Sequence, residues 1–484
     1  MSFSGEDVSQ AYRAGIGRLI DDGQLEAALL YVEDVVERVF CEPLNTAQIF
    51  GDRFLDASCE EIGRLSLAKL PAGGAAGGAH ARGGAVFIAS RLEASGGHTA
   101  VLADIACRMP GPVTVVLTGV VGPTDLAAVR HAFRAAAALQ FISAPAGSRL
   151  QKLQWLQECV RGIQPDTVWL ANHHQDSVAV AAVQPGQGYA LKYLHHGDHH
   201  LCLGVFLSFG EHYDLHAMGF WNCRDVLQQH DNKYLPLIVA DPGPAPAPAP
   251  GALPAGIISC TAAGKNKIEH SYRPDYAEVI AALLSRTHGT HIHVGRLSWL
   301  YRWKIRRALG CANVPRSALE FIPYVPSVAR LLQERRVDLY LASFPYAGAR
   351  TAVEAMAAGV PIAGHDHRSK RFLGAVDMLP PGSCIWTTPD QLLDFVMQNG
   401  RENLRERGRM ARQHYEKYHS PESLAQALRF GVDSTGFPPR PLAPALDELT
   451  AALSRAAQFT FLGIFKRRGL RYFRAGKAWL SRFR

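Results

Sequence analysis

The chain has 484 residues, of which 48% are hydrophobic and 19% are charged. This balance is that of folded globular proteins and excludes wholesale disorder, and the length exceeds what one hydrophobic core usually supports, so two or three domains are expected. The nine cysteines are odd in number and form no C-x-x-C pair, which argues against both a disulfide framework and a structural zinc site and favours a reducing compartment.

The chain begins with a predicted helical cap, residues 1–70, because its apolar residues recur at helical spacing. No basic start followed by an apolar run precedes it, and no stretch reaches the ~18 apolar residues of a membrane-spanning helix. We therefore predict a cytoplasmic protein that does not cross the membrane. The segment PAGGAAGGAHARGG, residues 71–84, has the composition of a flexible linker.

Short apolar runs alternate with amphipathic stretches over residues 85–240, which predicts parallel strands with helices between them. The predicted strands are 86–90, 113–119, 139–144, 167–172 and 189–197, and the predicted helices are 99–109, 125–137, 149–162 and 176–183. After a stiff proline-alanine linker, residues 241–256, the alternation restarts over 257–432. The strands predicted there are 256–262, 291–295, 319–324, 338–343, 361–364 and 384–388. The fold class is therefore α/β, with two tandem doubly wound Rossmann-like domains.

A basic tail, residues 433–484, follows the second domain. From Lys466 to Arg484 it carries eight basic and no acidic residues, which equals the whole net charge of +8. Apolar residues at three- and four-residue steps predict an amphipathic helix over 459–484 that contacts an anionic membrane surface or an acidic partner. This would place the protein peripherally at the inner face of the membrane. The alternative is a solvated tail.

The clearest chemical signal is DLYLASFPYAGARTAVEAMAAGVPIAGHD, residues 338–366. It predicts a strand, a glycine-containing loop, a helix that begins at 349–351 and a stop at Gly359. A helix start presents unpaired N–H groups and the positive end of the helix dipole, which suits a diphosphate. Glu354 lies one turn into that helix, where its carboxylate could accept hydrogen bonds from two ribose hydroxyls. Alternatively, the acid only compensates the dipole.

This segment resembles the nucleotide-sugar signature of glycosyltransferases with the GT-B fold. The preceding EFIPYVPSVARLLQERRVDLYLAS, residues 320–343, resembles the base-binding loop and following helix of that fold. The likeness is greatest to the O-GlcNAc transferase and bacterial adhesin N-glucosyltransferase group, and it covers 256–430 well and 85–240 loosely. It implies that 257–432 bind a UDP-sugar donor, that 85–240 lie on the acceptor side, and that no metal or other cofactor is required.

In that group, a lysine after the first strand of the second domain contacts the donor diphosphate. The segment SCTAAGKNKIEH, residues 259–270, offers Lys265 and Lys267, and its "KI" pair makes Lys267 the better match. The donor-binding residues that the resemblance implies are Lys265, Lys267, Tyr324, Gly348, Arg350, Thr351 and Glu354.

A second matching element is SRLEASGGHTAVLADIA, residues 90–106. Gly96 and Gly97 would let the backbone approach a ligand closely, and His98 lies at the predicted helix entrance. The resembling enzymes carry a histidine facing the sugar and acceptor in this loop. A neutral imidazole can take a proton from an acceptor hydroxyl at neutral pH, so His98 is the predicted catalytic base. The alternative is a helix-capping histidine.

The stereochemistry is predicted from a missing acid. Retaining GT-B enzymes commonly carry two glutamates eight positions apart, and the position eight before Glu354 is Tyr346. We therefore expect inversion, in which the acceptor attacks the anomeric carbon directly while Lys267 and the helix start neutralise the departing diphosphate. Two departures from the O-GlcNAc group are Arg350 before Thr351 and a glutamate at 354 in place of the usual aspartate.

The stretch YLHHGDHHLCLG, residues 193–204, holds four histidines and one aspartate. Adjacent residues in an extended chain point to opposite faces, so these histidines cannot all converge on a metal, and we predict no metal site. His195 and Asp198 are secondary base candidates in a polar floor for acceptor and sugar. A metal site completed by NHHQD, residues 172–176, and a structural network around Gly197 are the alternatives.

The resemblance implies a glycosyltransferase that moves a hexose-type sugar from a nucleoside diphosphate donor to a protein or glycan acceptor. A nucleotide-sugar 2-epimerase on the same architecture and a non-catalytic sugar- or partner-binding module are the alternatives. The segment 296–310 interleaves aromatic with basic residues, as single-strand nucleic-acid sites do. We interpret it as a surface helix whose aromatic side chains pack inward, and we predict no nucleic-acid partner.

Overall fold

The structure is a computed structural model that describes residues 5–40, 49–71, 83–94, 96–197, 200–244, 256–367, 371–430 and 451. These residues fall into two compact units: the first holds those up to 215 together with 219–235, and the second holds 216–218 and 236–430. The basic tail predicted at 433–484 lies outside the described residues, apart from 451, as do most of both predicted linkers. In the described part of the chain, no helix is both long and apolar enough to cross a bilayer.

The first unit contains a parallel sheet of seven strands among its described residues. The strands are β1 (Ala85–Ala89), β2 (Val113–Leu117), β3 (Gln140–Ser143), β4 (Thr167–Ala171), β5 (Ala190–His195), β6 (Glu211–Asp214) and β7 (Lys233–Tyr234), in the order β3-β2-β1-β4-β5-β6-β7. The helices are α1 (Gly5–Asp21), α2 (Leu25–Phe40), α3 (Arg53–Leu67), α4 (Gly97–Ala106), α5 (Leu126–Arg130), α6 (Arg149–Ile163), α7 (Ser177–Ala182) and α8 (Ala217–Asp225). Each strand predicted here is present, and β6 and β7 were not predicted.

Local signals explain these elements well. The five residues of β1 are all buried, as are those of β2, which fits the continuous apolar runs of a sheet covered on both faces. Helix α6 begins at a capping box, because the Ser148 side chain accepts from the Gln151 backbone and the Gln151 side chain accepts from the Ser148 backbone. It ends at Gln164, whose left-handed backbone closes the last turn.

The helices predicted as a cap are part of the first unit's core. Ile16, Leu29 and Ile62 lie in the same cluster of buried side chains as residues of β1 and β4. A partly buried ion pair also connects α2 to α6, because the Arg149 Nε donates to Glu33 Oε1 at 2.8 Å. The N-terminal helices therefore share one hydrophobic core with the sheet instead of forming a separate layer.

The second unit repeats the pattern with a six-stranded parallel sheet. Its strands are β8 (Ile258–Ala262), β9 (Thr290–Val294), β10 (Leu319–Ile322), β11 (Leu339–Leu341), β12 (Ile362–His365) and β13 (Cys384–Trp386), in the order β10-β9-β8-β11-β12-β13. The helices are α9 (Lys265–Ile268), α10 (Tyr276–Thr287), α11 (Trp299–Cys311), α12 (Val328–Glu334), α13 (Ala349–Ala357), α14 (Arg371–Gly374), α15 (Pro389–Gln398), α16 (Arg401–Tyr418) and α17 (Pro421–Phe430). The predicted fold class of two doubly wound sheets is confirmed.

The core of the second unit holds a histidine that makes its stability sensitive to acid. His291 on β9 is fully buried and contacts the Ser259 and Tyr276 hydroxyls through its two ring nitrogens, at 2.9 and 3.0 Å. Burial and the neighbouring His293 lower the pKa of His291 to about 3. As the pH falls, His291 is therefore protonated in the unfolded chain before it is protonated in the folded protein. The contribution of His291 to the free energy of unfolding is complete above pH ~6.5 and is lost between ~6.5 and about 3.

We expect His291 alone to lower the free energy of unfolding by about 2 kcal/mol between pH 7 and pH 5. Denaturant unfolding at the two pH values would measure this loss, and His291→Gln should reduce the difference between them. His288→Asn is the matched control, because His288 is exposed and asparagine tolerates its left-handed backbone. An equal pH difference in the wild type and in His291→Gln would contradict the prediction.

Candidate active site

The predicted donor loops leave neighbouring strands at one edge of the second sheet. Strands β8 and β11 pair in parallel, with Ser259 opposite Leu339. Lys267 lies in the short helix α9 that follows β8, and the loop before α13 follows β11. Because parallel strands end at the same edge of a sheet, their following loops lie side by side, which is where doubly wound sheets bind ligands.

Lys267 is fixed against the loop that precedes α13. Its Nζ donates to the carbonyl oxygen of Ala347 at 2.9 Å, and its own carbonyl accepts from the Tyr346 N–H at 3.3 Å. Burial lowers the pKa of Lys267 to about 8, so the ammonium form still predominates at neutral pH. A partly buried ammonium group is therefore held beside the start of a helix.

Helix α13 begins beside Lys267. Gly348 is its N-cap and supplies no side-chain hydrogen bond to the first turn, where the backbone N–H groups and the positive end of the helix dipole lie. The position is closely surrounded: a Cβ on Gly348 would lie 2.4 Å from Thr351 Oγ1 and 3.1 Å from Lys267 Nζ. Lys267, Gly348 and Thr351 thus lie close together, and the ammonium group is adjacent to the positive end of the helix dipole.

The remaining predicted donor residues have different environments. Lys265 is exposed, and Tyr324, which follows β10, is 68% exposed. Arg350 donates through one guanidinium nitrogen to the carbonyl oxygen of Ile238 at 2.8 Å. All of them belong to the second unit. Their contact with a donor stays a prediction.

Glu354 has a structural contact that sequence reasoning missed. Its Oε1 accepts from the backbone N–H of Val328 at 3.2 Å, at the first residue of α12. Burial raises the pKa of Glu354, while Arg350 and the backbone of Val328 oppose that rise. The carboxylate therefore helps to cap α12 and so connects the segment after β10 to α13. Its predicted role toward ribose hydroxyls stays a prediction.

In the first unit, His98 lies inside a group of three histidines. It is the second residue of α4, and its ring stacks on that of His196, with centroids 3.9 Å apart and planes 8° apart. His173 packs edge-on against His98 at 5.1 Å. Burial lowers the pKa of His98 well below its ordinary value, and His196 and His173 lower it further. His98 is therefore a neutral imidazole at neutral pH.

The sheet order explains why these three histidines meet. His98 follows β1, His173 follows β4 and His196 follows β5, and these three strands are adjacent in the sheet. The sequence placed each histidine near the end of a predicted strand, but His173 and His196 were not identified as partners of His98. Their shared position after neighbouring strands could have indicated that the three side chains meet.

Gly96 and Gly97 lie at the start of α4, with Gly96 as its N-cap. Gly96 has an ordinary negative φ of −81°, and a Cβ on Gly97 would meet nothing within 4 Å among the described residues. The loop is instead fixed by Thr99, whose hydroxyl oxygen accepts from the Glu93 N–H at 2.9 Å. A Cβ on Gly96 would lie 3.3 Å from the carbonyl oxygen of Glu93, which is a tight contact, and the close approach of this loop to a ligand stays a prediction.

The secondary base candidates are placed differently from His98. His195 is fully buried at the end of β5, with its Nδ1 2.9 Å from Asp214 Oδ1. Asp198 lies outside the described residues. His195 and His196 point to opposite sides, as expected for adjacent residues of an extended chain, so His195 does not join the three histidines around His98. Its predicted catalytic role is therefore not supported by proximity to that group.

The surface helix predicted at 296–310 is present as α11, but one detail was wrong. Tyr301, Ile305 and Leu309 form its buried stripe. Trp299 and Trp303 are 75% and 55% exposed, although their aromatic rings were expected to pack inward. The reason is spacing, because these two tryptophans lie four residues apart and outside the buried stripe.

No protein-family model and no curated protein matches this sequence. Solved structures do match it. The Anabaena protein Alr3699/HepE, in complex with UDP and glucose, has a TM-score of 0.52 at 12% identity, over 72% of this chain and 100% of its own. A glycosyltransferase from Rickettsia africae has a TM-score of 0.53 at 11% identity, over 73% of this chain and 98% of its own.

These likenesses concern the fold. At identities of 11% and 12% they show that the described chain has the two-domain architecture of GT-B proteins, as its two sheet orders also indicate. The predicted resemblance to the GT-B fold is confirmed at that level. What the matched proteins bind or do is a property of those proteins.

Proposed function

We propose that this chain is a glycosyltransferase that moves a hexose-type sugar from a UDP-linked donor to a protein or glycan acceptor. The observation that carries the proposal is the pairing of the Lys267 ammonium group with the start of α13, next to Gly348. Positive charge from a cationic side chain and from backbone N–H groups is what a departing diphosphate requires. The fold of solved UDP complexes supports the same choice of donor.

The proposed reaction is a direct displacement. The acceptor oxygen forms a bond to the anomeric carbon, the bond from that carbon to the β-phosphate oxygen breaks, and UDP leaves with the electron pair. Lys267 and the first N–H groups of α13 stabilise the negative charge that develops on the leaving oxygen. Because these groups supply the positive charge, the proposed mechanism assigns no step to a metal. Inversion at the anomeric carbon follows from a single displacement.

His98 is the proposed general base. Its lowered pKa keeps the imidazole neutral at physiological pH, so one ring nitrogen can accept the proton of the acceptor hydroxyl as the new bond forms. Stacking on His196 and the edge contact with His173 fix the orientation of the ring. Burial and the two neighbouring histidines disfavour the protonated form, so His98 returns readily to the neutral state after it has taken the proton.

The test is a donor screen on the full-length protein. Binding of UDP is measured by calorimetry, and release of UDP from a panel of UDP-sugars is measured with and without candidate protein and glycan acceptors. We expect UDP binding and acceptor-dependent UDP release, with the sugar mass added to the acceptor in a mass spectrum. Turnover of the donor without any acceptor would instead identify a 2-epimerase. Failure to bind any nucleoside diphosphate would reject the proposal.

A further inference from the structure

Four buried side chains of the first unit direct ligand atoms toward one point. They are His195, His212, Asp214 and Cys223, and one ligand atom from each lies within 4.8 Å of all the others. His195, Asp214 and Cys223 are fully buried, and the His212 side chain is 10% exposed. Neither the proposed donor contacts nor the proposed base explains why these four side chains lie together. The cluster therefore requires its own explanation.

Strand geometry brings the four residues together. His195 ends β5 and lies directly opposite Asp214 on the neighbouring parallel strand β6. His212 and Asp214 are two residues apart on β6, so their side chains point to the same face of the sheet. Cys223 comes from α8. Three elements therefore contribute ligands, and none of these ligands belongs to a short cysteine motif.

Four of the six distances between the ligand atoms are close to those of a tetrahedral site. The Asp214 Oδ1 lies 2.9 Å from His195 Nδ1 and 3.2 Å from His212 Nε2. The Cys223 Sγ lies 3.5 Å from both His195 Nδ1 and Asp214 Oδ1. A zinc ion with bonds of about 2.0–2.1 Å to nitrogen and oxygen and about 2.3 Å to sulfur needs ligand atoms separated by roughly 3.3–3.6 Å. The other two ligand-atom separations, from His212 to His195 and from His212 to Cys223, are at most 4.8 Å, and side-chain movements would bring all four ligands to one ion.

The surrounding hydrogen bonds orient the ligands as a metal site requires. Asn232 Nδ2 donates to Asp214 Oδ2 at 2.8 Å, which leaves Oδ1 directed at the other three ligand atoms. The Nδ1 of His212 faces the carbonyl oxygen of Val205 at 3.4 Å, which leaves its Nε2 directed at the cluster. Ordered partners of this kind fix the tautomer and the ring orientation of metal-bound histidines.

Charge balance points to a divalent cation of borderline softness. A thiolate from Cys223 and a carboxylate from Asp214 together carry two negative charges, and two neutral imidazoles add none. A divalent ion makes this buried group neutral, whereas a monovalent ion would leave an unbalanced charge away from water. Nitrogen and sulfur ligands select against Mg²⁺ and Ca²⁺ and favour Zn²⁺.

We propose that His195, His212, Asp214 and Cys223 form a closed structural site for one Zn²⁺ ion. The ion would connect β5, β6 and α8, which supply its ligands. A four-ligand protein site leaves no position for substrate, so the ion stabilises the fold and takes no part in transfer. The proposal departs from the sequence-based expectation of no metal, which rested on the missing C-x-x-C pair and on the divergence of adjacent histidines.

The test uses the full-length protein and measures metal content and spectra. After exposure to Zn²⁺ and gel filtration, elemental analysis should find about one zinc per chain, and removal of zinc by a chelator should lower the melting temperature by several degrees. Replacement with Co²⁺ should give the visible bands of a tetrahedral site together with a thiolate-to-cobalt charge-transfer band. Zinc content near zero, or a cobalt complex without the thiolate band, would overturn the proposal.

Variants identify the ligands. Cys223→Ser should abolish the thiolate band and His212→Ala should reduce the zinc content strongly, whereas Cys107→Ser and His230→Ala should leave both unchanged. Cys107 and His230 are matched controls because both belong to the same unit and lie outside the cluster. If a ligand variant does not fold, the cobalt spectrum of the wild type still decides the matter. An unchanged thiolate band in Cys223→Ser would assign the metal to other residues.

Discussion

Replacing Lys267 with methionine is expected to lower the rate of UDP release by about 10²–10³-fold, as the loss of one preorganised charge-stabilising group does in other enzymes. The Lys267 Nζ lies beside Gly348 and donates to the carbonyl oxygen of Ala347, so it is fixed before a donor arrives. Methionine keeps a chain of similar volume and removes the charge together with the hydrogen bond to the Ala347 carbonyl. The rate is measured with the UDP-sugar that the donor screen finds most reactive, and affinity for UDP is expected to fall as well.

Lys265→Met is the matched control for this experiment. Lys265 lies two residues away in α9, is exposed and carries the same charge, so its loss should leave the rate within about threefold of the wild type. Melting temperatures of both variants are measured as well, because Lys267→Met also removes the hydrogen bond to the Ala347 carbonyl and a lost rate must be separated from lost stability. If Lys267→Met turns over donor as fast as Lys265→Met, the diphosphate is stabilised elsewhere and the proposed site is wrong.

The strands of both sheets were predictable because buried parallel strands have continuous apolar sequences. The segments around 86–90 and 256–262 each became a strand whose five residues are all buried. Strands β6 and β7 were missed, since EHYD and KY are short and polar and carry no such run. Their pairing depends on the neighbouring strand β5, which a reading of local composition does not include.

The donor loop was predicted in more detail than the histidines. A strand, a glycine and a helix start are consecutive in sequence, so local rules were sufficient to bring Gly348 and Thr351 together. The partners of His98 come from loops that are about 75 and about 98 residues further along the chain and meet only because β1, β4 and β5 are adjacent. The alternation of side chains along a strand correctly predicted that His195 and His196 point to opposite faces, but it did not indicate which residues each of them contacts.

The buried cluster around Asp214 was not predicted for the same reason, because its residues meet only through the order of the strands and the position of a helix. His212 and Asp214 share a face because they are two residues apart on a strand, yet that strand was not predicted. Cys223 lies on a helix and joins them only in three dimensions. Metal motifs with closely spaced ligands are visible in sequence, whereas a site assembled from three elements requires the sheet order.

His98→Gln is expected to lower the rate of sugar transfer by about 10²–10⁴-fold, which is the usual contribution of a general base. Glutamine has a similar size and can pack against His196, but it does not accept a proton at neutral pH. UDP binding should be unaffected, because the proposed diphosphate contacts come from Lys267 and the start of α13 and not from His98. Transfer is measured with the acceptor identified in the mass spectrum, and UDP affinity is measured beside it.

The pH dependence distinguishes a base from a residue that only shapes the site. Burial, with His196 and His173, lowers the pKa of His98 well below its ordinary value, so the imidazole stays neutral as the pH falls through ~6.5. The transfer rate of the wild type should therefore be level from pH 8 to ~6.5 and should fall only in more acidic solution. This acid limb should disappear in His98→Gln and persist in His131→Gln, because His131 is an exposed histidine of the same unit. An acid limb that survives unchanged in His98→Gln would mean that another group takes the acceptor's proton and that the stacked imidazole has a positioning role.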